Sequence, residues 1–270
     1  MSPCPVFLLG TVHRDPDGFR RLCVFLRAFD PDCILLECSP YGMEFRRKNG
    51  RALQEALNKA IRETSRGCAL PLRYVVKHPQ VSAIRRQITL PFEYRAARRH
   101  HHLTGTPVLL VDHPKWSRIW IRHWPHLLSQ KNIQTLVTLK NQDLPPISRI
   151  YRLAAACIDN GPAANGESLP FSRWPHDRFT LEREQHLAKR IFSGLQTLDP
   201  KRPLFVGGWM HLVYGVNQPR LRDYLKGITC GCALLDRCMR EVRNRGSMDE
   251  IRGRSPRSPL PSPSTNGLLF

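Results

Sequence analysis

The sequence predicts an α/β protein, a single domain on a central, largely parallel sheet with helices on both faces. Three observations predict it. Apolar runs of strand length recur without polar alternation in Pro5-Val-Phe-Leu-Leu-Gly10, Cys33-Ile-Leu-Leu36, Pro107-Val-Leu-Leu-Val111 and Pro203-Leu-Phe-Val206, and such runs mark strands covered on both faces. Segments of helical spacing separate them, the order expected of βαβ units. Two of the runs close on a glycine with a histidine three residues on, Gly10-Thr-Val-His13 and Gly208-Trp-Met-His211. One G-x-x-H carries no weight, but two at the ends of buried strands form a constellation.

Taken in order, Asp15-Pro-Asp-Gly18 opens a helix whose Phe19, Leu22, Cys23, Leu26 and Phe29 share a face until Asp30-Pro31 stops it. The second strand follows and ends in Glu37. Residues 50–66 read as a helix, and the chain up to Gln80 has mixed character. Pro91 suits a first-turn position, so 92–103 is a helix, with Glu93 on the face of Ala96, Ala97 and His100. The third strand ends in Asp112. Trp116, Trp120 and Trp124 recur every four residues on a helix expected to bend or stop at Pro125, their rings forming a packed aromatic face. Two short helices between 133 and 157 flank Leu144-Pro-Pro146, and 161–175 is a loop. The helix over 180–198 buries Leu187, Ile191 and Leu195, and four residues before Leu187 the same stripe carries Arg183. An arginine there either snorkels out or meets a carboxylate or ligand oxyanion. The fourth strand, a helix near 218–226 and a last apolar run over 228–235 complete a domain spanning 1–236. Residues 237–270, arginine-rich with Ser-Pro repeats, read as a disordered tail.

With 270 residues, 41% of them hydrophobic, the chain has enough material for a sizeable core. No stretch approaches the roughly 20 apolar residues of a membrane span, and the first residues lack the pattern of a signal peptide, so the expected location is cytoplasmic. Nine cysteines without a paired C-x-x-C set read as reduced core thiols. The net charge of +20 raises the question of an anionic partner, and between Arg73 and His126 ten Lys or Arg face only Glu93 and Asp112. No helix-turn-helix, RNP-like or zinc-finger pattern accompanies that charge. A solvated basic surface with weak affinity for anionic surfaces is the expectation.

In an open parallel sheet, ligands bind beyond the carboxyl ends of the strands, where His13, Glu37, Asp112 and His211 all fall. Imidazole and carboxylate groups at one point suit a divalent cation such as Mn, Co or Zn, which would lower the pKa of a bound water. Arg183 would then neutralise an oxyanion, and Glu93 would assist proton transfer.

The blocks Leu-Leu-Gly10-Thr-Val-His13, Pro31-Asp-Cys-Ile-Leu-Leu-Glu37-Cys, Glu93-Tyr-Arg-Ala-Ala, Val111-Asp112-His-Pro, Arg183-Glu-Gln-His-Leu-Ala188 and Val206-Gly-Gly208-Trp-Met-His211 resemble, in order and spacing, the TraB/PrgY family. That family belongs with the TIKI metalloproteases, the GumN proteins, the erythromycin esterases and the haem-binding ChaN proteins. The resemblance covers about residues 5–230 and implies an erythromycin esterase/ChaN-like α/β fold. It also implies a site made of His13, His211, Glu37 and Arg183, with Glu93 as a further acidic position. Two positions depart from the family's pattern: Arg183-Glu184 stands for the usual Arg-Asp, and Asp112-His113 for the usual Asp-Arg. TIKI members resemble Mn- or Co-dependent peptidases, whereas erythromycin esterases use a histidine base and require no metal. The resulting expectation is a metal-dependent hydrolase acting on a peptide or ester bond of a peptide or small-molecule substrate. In it His13, Glu37 and His211 are the metal ligands, and Glu37, Glu93 and Arg183 are catalytic. The alternative is a non-catalytic protein that sequesters a peptide or other ligand in the same pocket.

Overall fold

The computed structural model describes residues 5–139, 145–160, 178–215 and 218–244. Five strands, β1 (Val6–Thr11), β2 (Cys33–Leu36), β3 (Val108–Leu110), β4 (Pro203–Gly208) and β5 (Thr229–Leu234), form one sheet in the order β3-β2-β4-β1-β5. Every pairing is parallel, and the register sets Gly10 beside Gly207 and Thr11 beside Gly208. The α/β class therefore holds. Between the strands run α1 (Gly18–Phe29), α2 (Pro40–Gly67), α3 (Leu72–Lys77), α4 (Pro79–Ile88), α5 (Phe92–Thr104), α6 (Pro114–Arg122), α7 (Trp124–Leu127), α8 (Gln130–Thr138), α9 (Ile147–Asn160), α10 (Arg178–Leu198), α11 (Leu221–Tyr224) and α12 (Leu235–Asn244).

The chain divides into two compact units, the first being Met1–Cys38, Phe92–Asp112 and Ile147–Phe270. It contains the sheet. Every described residue of β2 and β4 is buried, which explains their unbroken apolar sequences. On one face, Val6, Leu8, Cys33, Leu35 and Phe205 pack against Leu187, Ile191 and Leu195 of α10. A Cβ on Gly194 would stand 2.8 Å from a Leu109 methyl and 3.0 Å from a Leu35 methyl, so a larger residue there would force these side chains to shift where α10 meets the strands. The sheet presents Phe7 to the rings of Phe25 and Phe29 in α1, and α1 packs on α5. Each apolar side chain buried in this way contributes on the order of 1.5–3 kcal/mol.

The second unit, Ser39–Pro91 and His113–Pro146, is helical. Its core joins Leu57 and Ile61 of α2 to Val81, Ile84 and Ile88 of α4, and to Ile133 and Val137 of α8. The helix expected over 50–66 begins ten residues earlier, at Pro40. Ser39 caps the helix by accepting the Gly42 amide at 3.2 Å, and Pro40 occupies the first turn. The mixed segment before Gln80 contains α3 and the beginning of α4, short helices that start after Pro71 and at Pro79.

The tryptophan stripe is not a uniformly packed face. Trp124 is 2% exposed, but Trp120 is 61% exposed, and the two rings stand on different helices, since α6 ends at Arg122 and α7 begins at Trp124. Across the boundary expected at 236, α12 runs from Leu235 to Asn244, with Leu235 and Cys238 buried. The loop expected over 161–175 and the tail beyond 244 lie outside the described residues. No disulfide occurs among the described cysteines. No helix among the described residues is long and apolar enough to cross a membrane.

Candidate functional site

Because all five strands run the same way, their carboxyl ends share one edge of the sheet. Glu37 follows the last residue of β2 directly, and its amide still pairs with the Val206 carbonyl of β4 at 2.9 Å. His13 lies two residues beyond β1 and Asp112 two beyond β3. A short 3-10 turn, Trp209–Leu212, swings His211 back over the end of β4. The structure thus brings the four strand-end groups together in the first unit, as the topology predicts. It adds Arg183 from α10 and Glu93 from α5.

Glu37 is the hub. Its side chain is 4% exposed, and its Oε1 accepts from Arg183 Nη2 at 2.6 Å and lies 2.9 Å from His211 Nε2. Oε2 accepts the Gly208 amide and stands 3.9 Å from His13 Nε2. Burial opposes ionisation, but His211, Arg183 and His13 outweigh it and hold this carboxyl well below the usual carboxylate range. Glu37 is therefore a fixed anion.

Arg183 is gripped from two sides. Its Nε donates to Asp112 Oδ1 at 2.8 Å and Nη2 to Asp112 Oδ2 at 2.9 Å, a bidentate fork, while the same Nη2 reaches Glu37. Burial works against the charge, and Asp112 and Glu37 more than compensate, so the guanidinium stays firmly protonated. Of the readings open for an arginine on a buried stripe, the structure selects the meeting with carboxylates.

Each histidine is backed by a carboxylate at Nδ1. His211 Nδ1 lies 2.9 Å from Glu184 Oε2, and His13 Nδ1 lies 2.8 Å from Glu93 Oε1. For His211, burial disfavours charge, yet Glu184 and Glu37 raise the pKa to about 10, so the ring is an imidazolium with both N–H groups donating to carboxylates. For His13 the same opposition, with Glu93 and then Glu37 prevailing, gives about 9. The two rings differ in access. The His211 side chain is 7% exposed and the His13 side chain 57%, so solvent screens the attractions on His13 and the upward direction is the firmer part of its shift.

Glu93 is 3% exposed and sits on the inner face of α5, as its spacing from Ala96, Ala97 and His100 predicts. Oε1 takes the Thr11 hydroxyl at 2.8 Å besides His13, whereas Oε2 is buried with no hydrogen-bond partner among the described residues. A buried acceptor left unmade costs about 1–3 kcal/mol, the kind of deficit that accumulates at functional sites.

Sequence reasoning gave no role to Thr11 or Glu184, and placed Asp112 at the sheet edge without one. Glu184 is 2% exposed and joins His211 to the start of α11 by accepting the Leu221 amide at 2.9 Å. The available signal was its place beside Arg183, and choosing it required knowing where α10 lies against the 3-10 turn.

A divalent cation would find part of what it needs, since a carboxylate behind Nδ1 is the usual support of a metal-bound histidine. The rest does not fit. Both Glu37 oxygens are taken by donors, one of them the Arg183 guanidinium, and two imidazoliums with a guanidinium already surround that single carboxylate. Metal ligation would require two rings of raised pKa to give up protons beside a fixed cation. Among the described residues no group of three or more His, Cys, Asp or Glu side chains is placed to hold a metal ion.

Comparison with family models, with curated proteins and with solved structures finds no match for this chain.

Proposed function

We propose that the chain is a hydrolase of ester or peptide bonds, of the TraB type its motifs resemble, working by a histidine-activated water rather than through the expected metal. The observation that supports it is the His13–Glu93 pair: a 2.8 Å contact at Nδ1 on a ring that is 57% exposed, with Nε2 facing the anion Glu37 at 3.9 Å. A carboxylate at Nδ1 fixes the tautomer and leaves Nε2 to handle the proton. In the neutral ring, Nε2 takes a proton from water as the water oxygen bonds to the substrate carbonyl carbon. The imidazolium so formed lies between Glu93 and Glu37, and its proton passes to the leaving alcohol or amine as the scissile bond breaks. Glu37 is preorganised for this charge because Arg183, His211 and the Gly208 amide hold it ionised and in place. Arg183 is then a positioning residue, its donors committed to Asp112 and Glu37.

The test is hydrolysis of a panel of activated esters and short peptides by chelator-treated protein, with and without added Mn, Co or Zn, against His13→Gln. The expected result is chelator-insensitive turnover that climbs through neutral pH towards about 9 and is lost in the variant. Turnover that appears only with added metal would contradict the metal-free reading. Saturable ligand binding without turnover would favour the sequestering protein instead.

A further inference from the structure

The second unit carries a feature that the first does not use. Its residues, 39–91 and 113–146, include sixteen Lys or Arg against four Asp or Glu, so a third of the chain holds twelve of the twenty net positive charges. The segregation is sharper by element: α3, α4, α6, α7 and α8 together carry eight Lys or Arg and no acidic residue. Charge alone marks only an anionic preference. A cavity of about 260 Å³ in the same unit, lined by Arg46, Gln87, Ser117, Trp120, Ile121 and Trp124, gives that preference a shape.

The cavity is built from donors and aromatic planes. Trp124 is 2% exposed, has the Arg46 guanidinium 5.0 Å from its ring centroid, and stands in a T-shaped arrangement with Phe45, the ring centroids 5.8 Å apart. Arg46 is fixed there by donating Nε to the Gln87 carbonyl at 3.1 Å and Nη1 to the Gly42 carbonyl at 3.0 Å. The Trp124 indole N–H is buried with no acceptor among the described residues. Trp120, on the same cavity, is 61% exposed. Lys115, Arg118 and Arg122, at spacings of three and four along α6, are all exposed.

We propose that this face of the helical unit binds single-stranded nucleic acid, with one unstacked base entering the cavity beside Trp120 and the flanking phosphates meeting the cations of α6. The volume falls just below the roughly 300–1,000 Å³ of sites for drug-sized molecules, which suits one planar ring and not a whole nucleotide. A base offers carbonyl and ring-nitrogen acceptors to the donors of the cavity and a π-face to an exposed indole, and its backbone supplies anions to meet the exposed cations of α6. A paired base in a duplex cannot enter. A lipid surface would instead require a protruding apolar face to insert, whereas the exposed indole here borders a concavity.

The experiment uses the full chain with fluorescein-labelled 12-nucleotide oligo(dT) and oligo(U), followed by anisotropy from 50 to 300 mM salt, beside the matching duplex and vesicles containing 30% phosphatidylserine. The single strands are expected to bind best, with log affinity falling by about 2 or more per tenfold rise in salt, equivalent to three or more phosphates at about 0.7 each. Trp120→Ala, an exposed position whose loss leaves the core intact, is expected to weaken binding about 5- to 150-fold at an unchanged salt slope. Arg122→Gln is expected to reduce that slope by about 0.7. Equal affinity of wild type and Trp120→Ala for the oligonucleotides, or a preference for the duplex or the vesicles, overturns the proposal.

Discussion

Raising the pH from 6.5 to 8.5 should destabilise this protein, and His211 should be the main cause. In the folded chain both of its ring nitrogens face buried carboxylates, and its pKa stands at about 10 against 6.5 for an unperturbed histidine. A group whose folded pKa is raised stabilises fully below its unfolded value, and that stability disappears as pH climbs towards the folded one. Between about 6.5 and 10 the native state holds a proton that the unfolded state has released, so unfolding becomes easier by about 1.4 kcal/mol per pH unit for each such group. Because the unfolded ring is still half protonated at pH 6.5, His211 alone then contributes a loss of about 2 kcal/mol across the two units. His13 shifts in the same direction but is more than half exposed, so its share is smaller. The upper limit of 8.5 keeps clear of thiols such as Cys33, which burial pushes up to about 12 and which add a slope of their own above about 9. Urea unfolding of wild type and His211→Gln at pH 6.5, 7.5 and 8.5 measures the effect, with the m-value checked for constancy. The variant should be less stable at pH 6.5 and nearly flat thereafter. Parallel curves for the two proteins, or a flat wild type, would refute the doubly paired imidazolium.

Two further outcomes follow from contacts in the site. Arg183→Met removes the guanidinium shared by Glu37 and Asp112, whose side chains are 4% and 10% exposed, and should cost about 3–5 kcal/mol in urea unfolding, whereas Asp112→Asn leaves Arg183 one carboxylate and should cost clearly less. Equal losses would show that the guanidinium is not the shared partner. Gly208→Ala places a Cβ 2.8 Å from His13 Nε2 and 3.4 Å from Glu37, so it should displace the exposed imidazole, lower turnover by tenfold or more and shift melting by only a few degrees. A large melting shift with full turnover would place the strain in the sheet instead.

Much of the sheet and part of the site are legible in the sequence because both depend on local pattern. Strands buried on both faces have to be apolar throughout, and parallel strands have to end on one side, so the pattern alone assigns His13, Glu37, Asp112 and His211 to one edge. Arg183 was legible as an anomaly on the buried stripe of α10, but its partners lie 71 and 146 residues away in sequence. Glu184 and Thr11 were hidden for the same reason. Each looks ordinary until the 3-10 turn and α5 are placed against it. The start of α2 was obscured because its first turns bury little beyond Gly42 and Met43, which removes the periodic signal there and leaves only the Ser39-Pro40 cap. The Trp stripe misled because the spacing of four continues across the break between α6 and α7, where the shared face ends.

The proposed activation of water requires His13 to be a proton-handling ring whose affinity is set by Glu93, and nitrogen-detected NMR titration of the histidines measures that directly. The wild-type ring should titrate near 9, with the proton on Nδ1 directed at Glu93, and Glu93→Gln should move its midpoint back towards 6.5 while His211 stays protonated. A His13 midpoint near 6.5 in both proteins, unmoved by the substitution, would contradict the pair and with it the proposed activation of water.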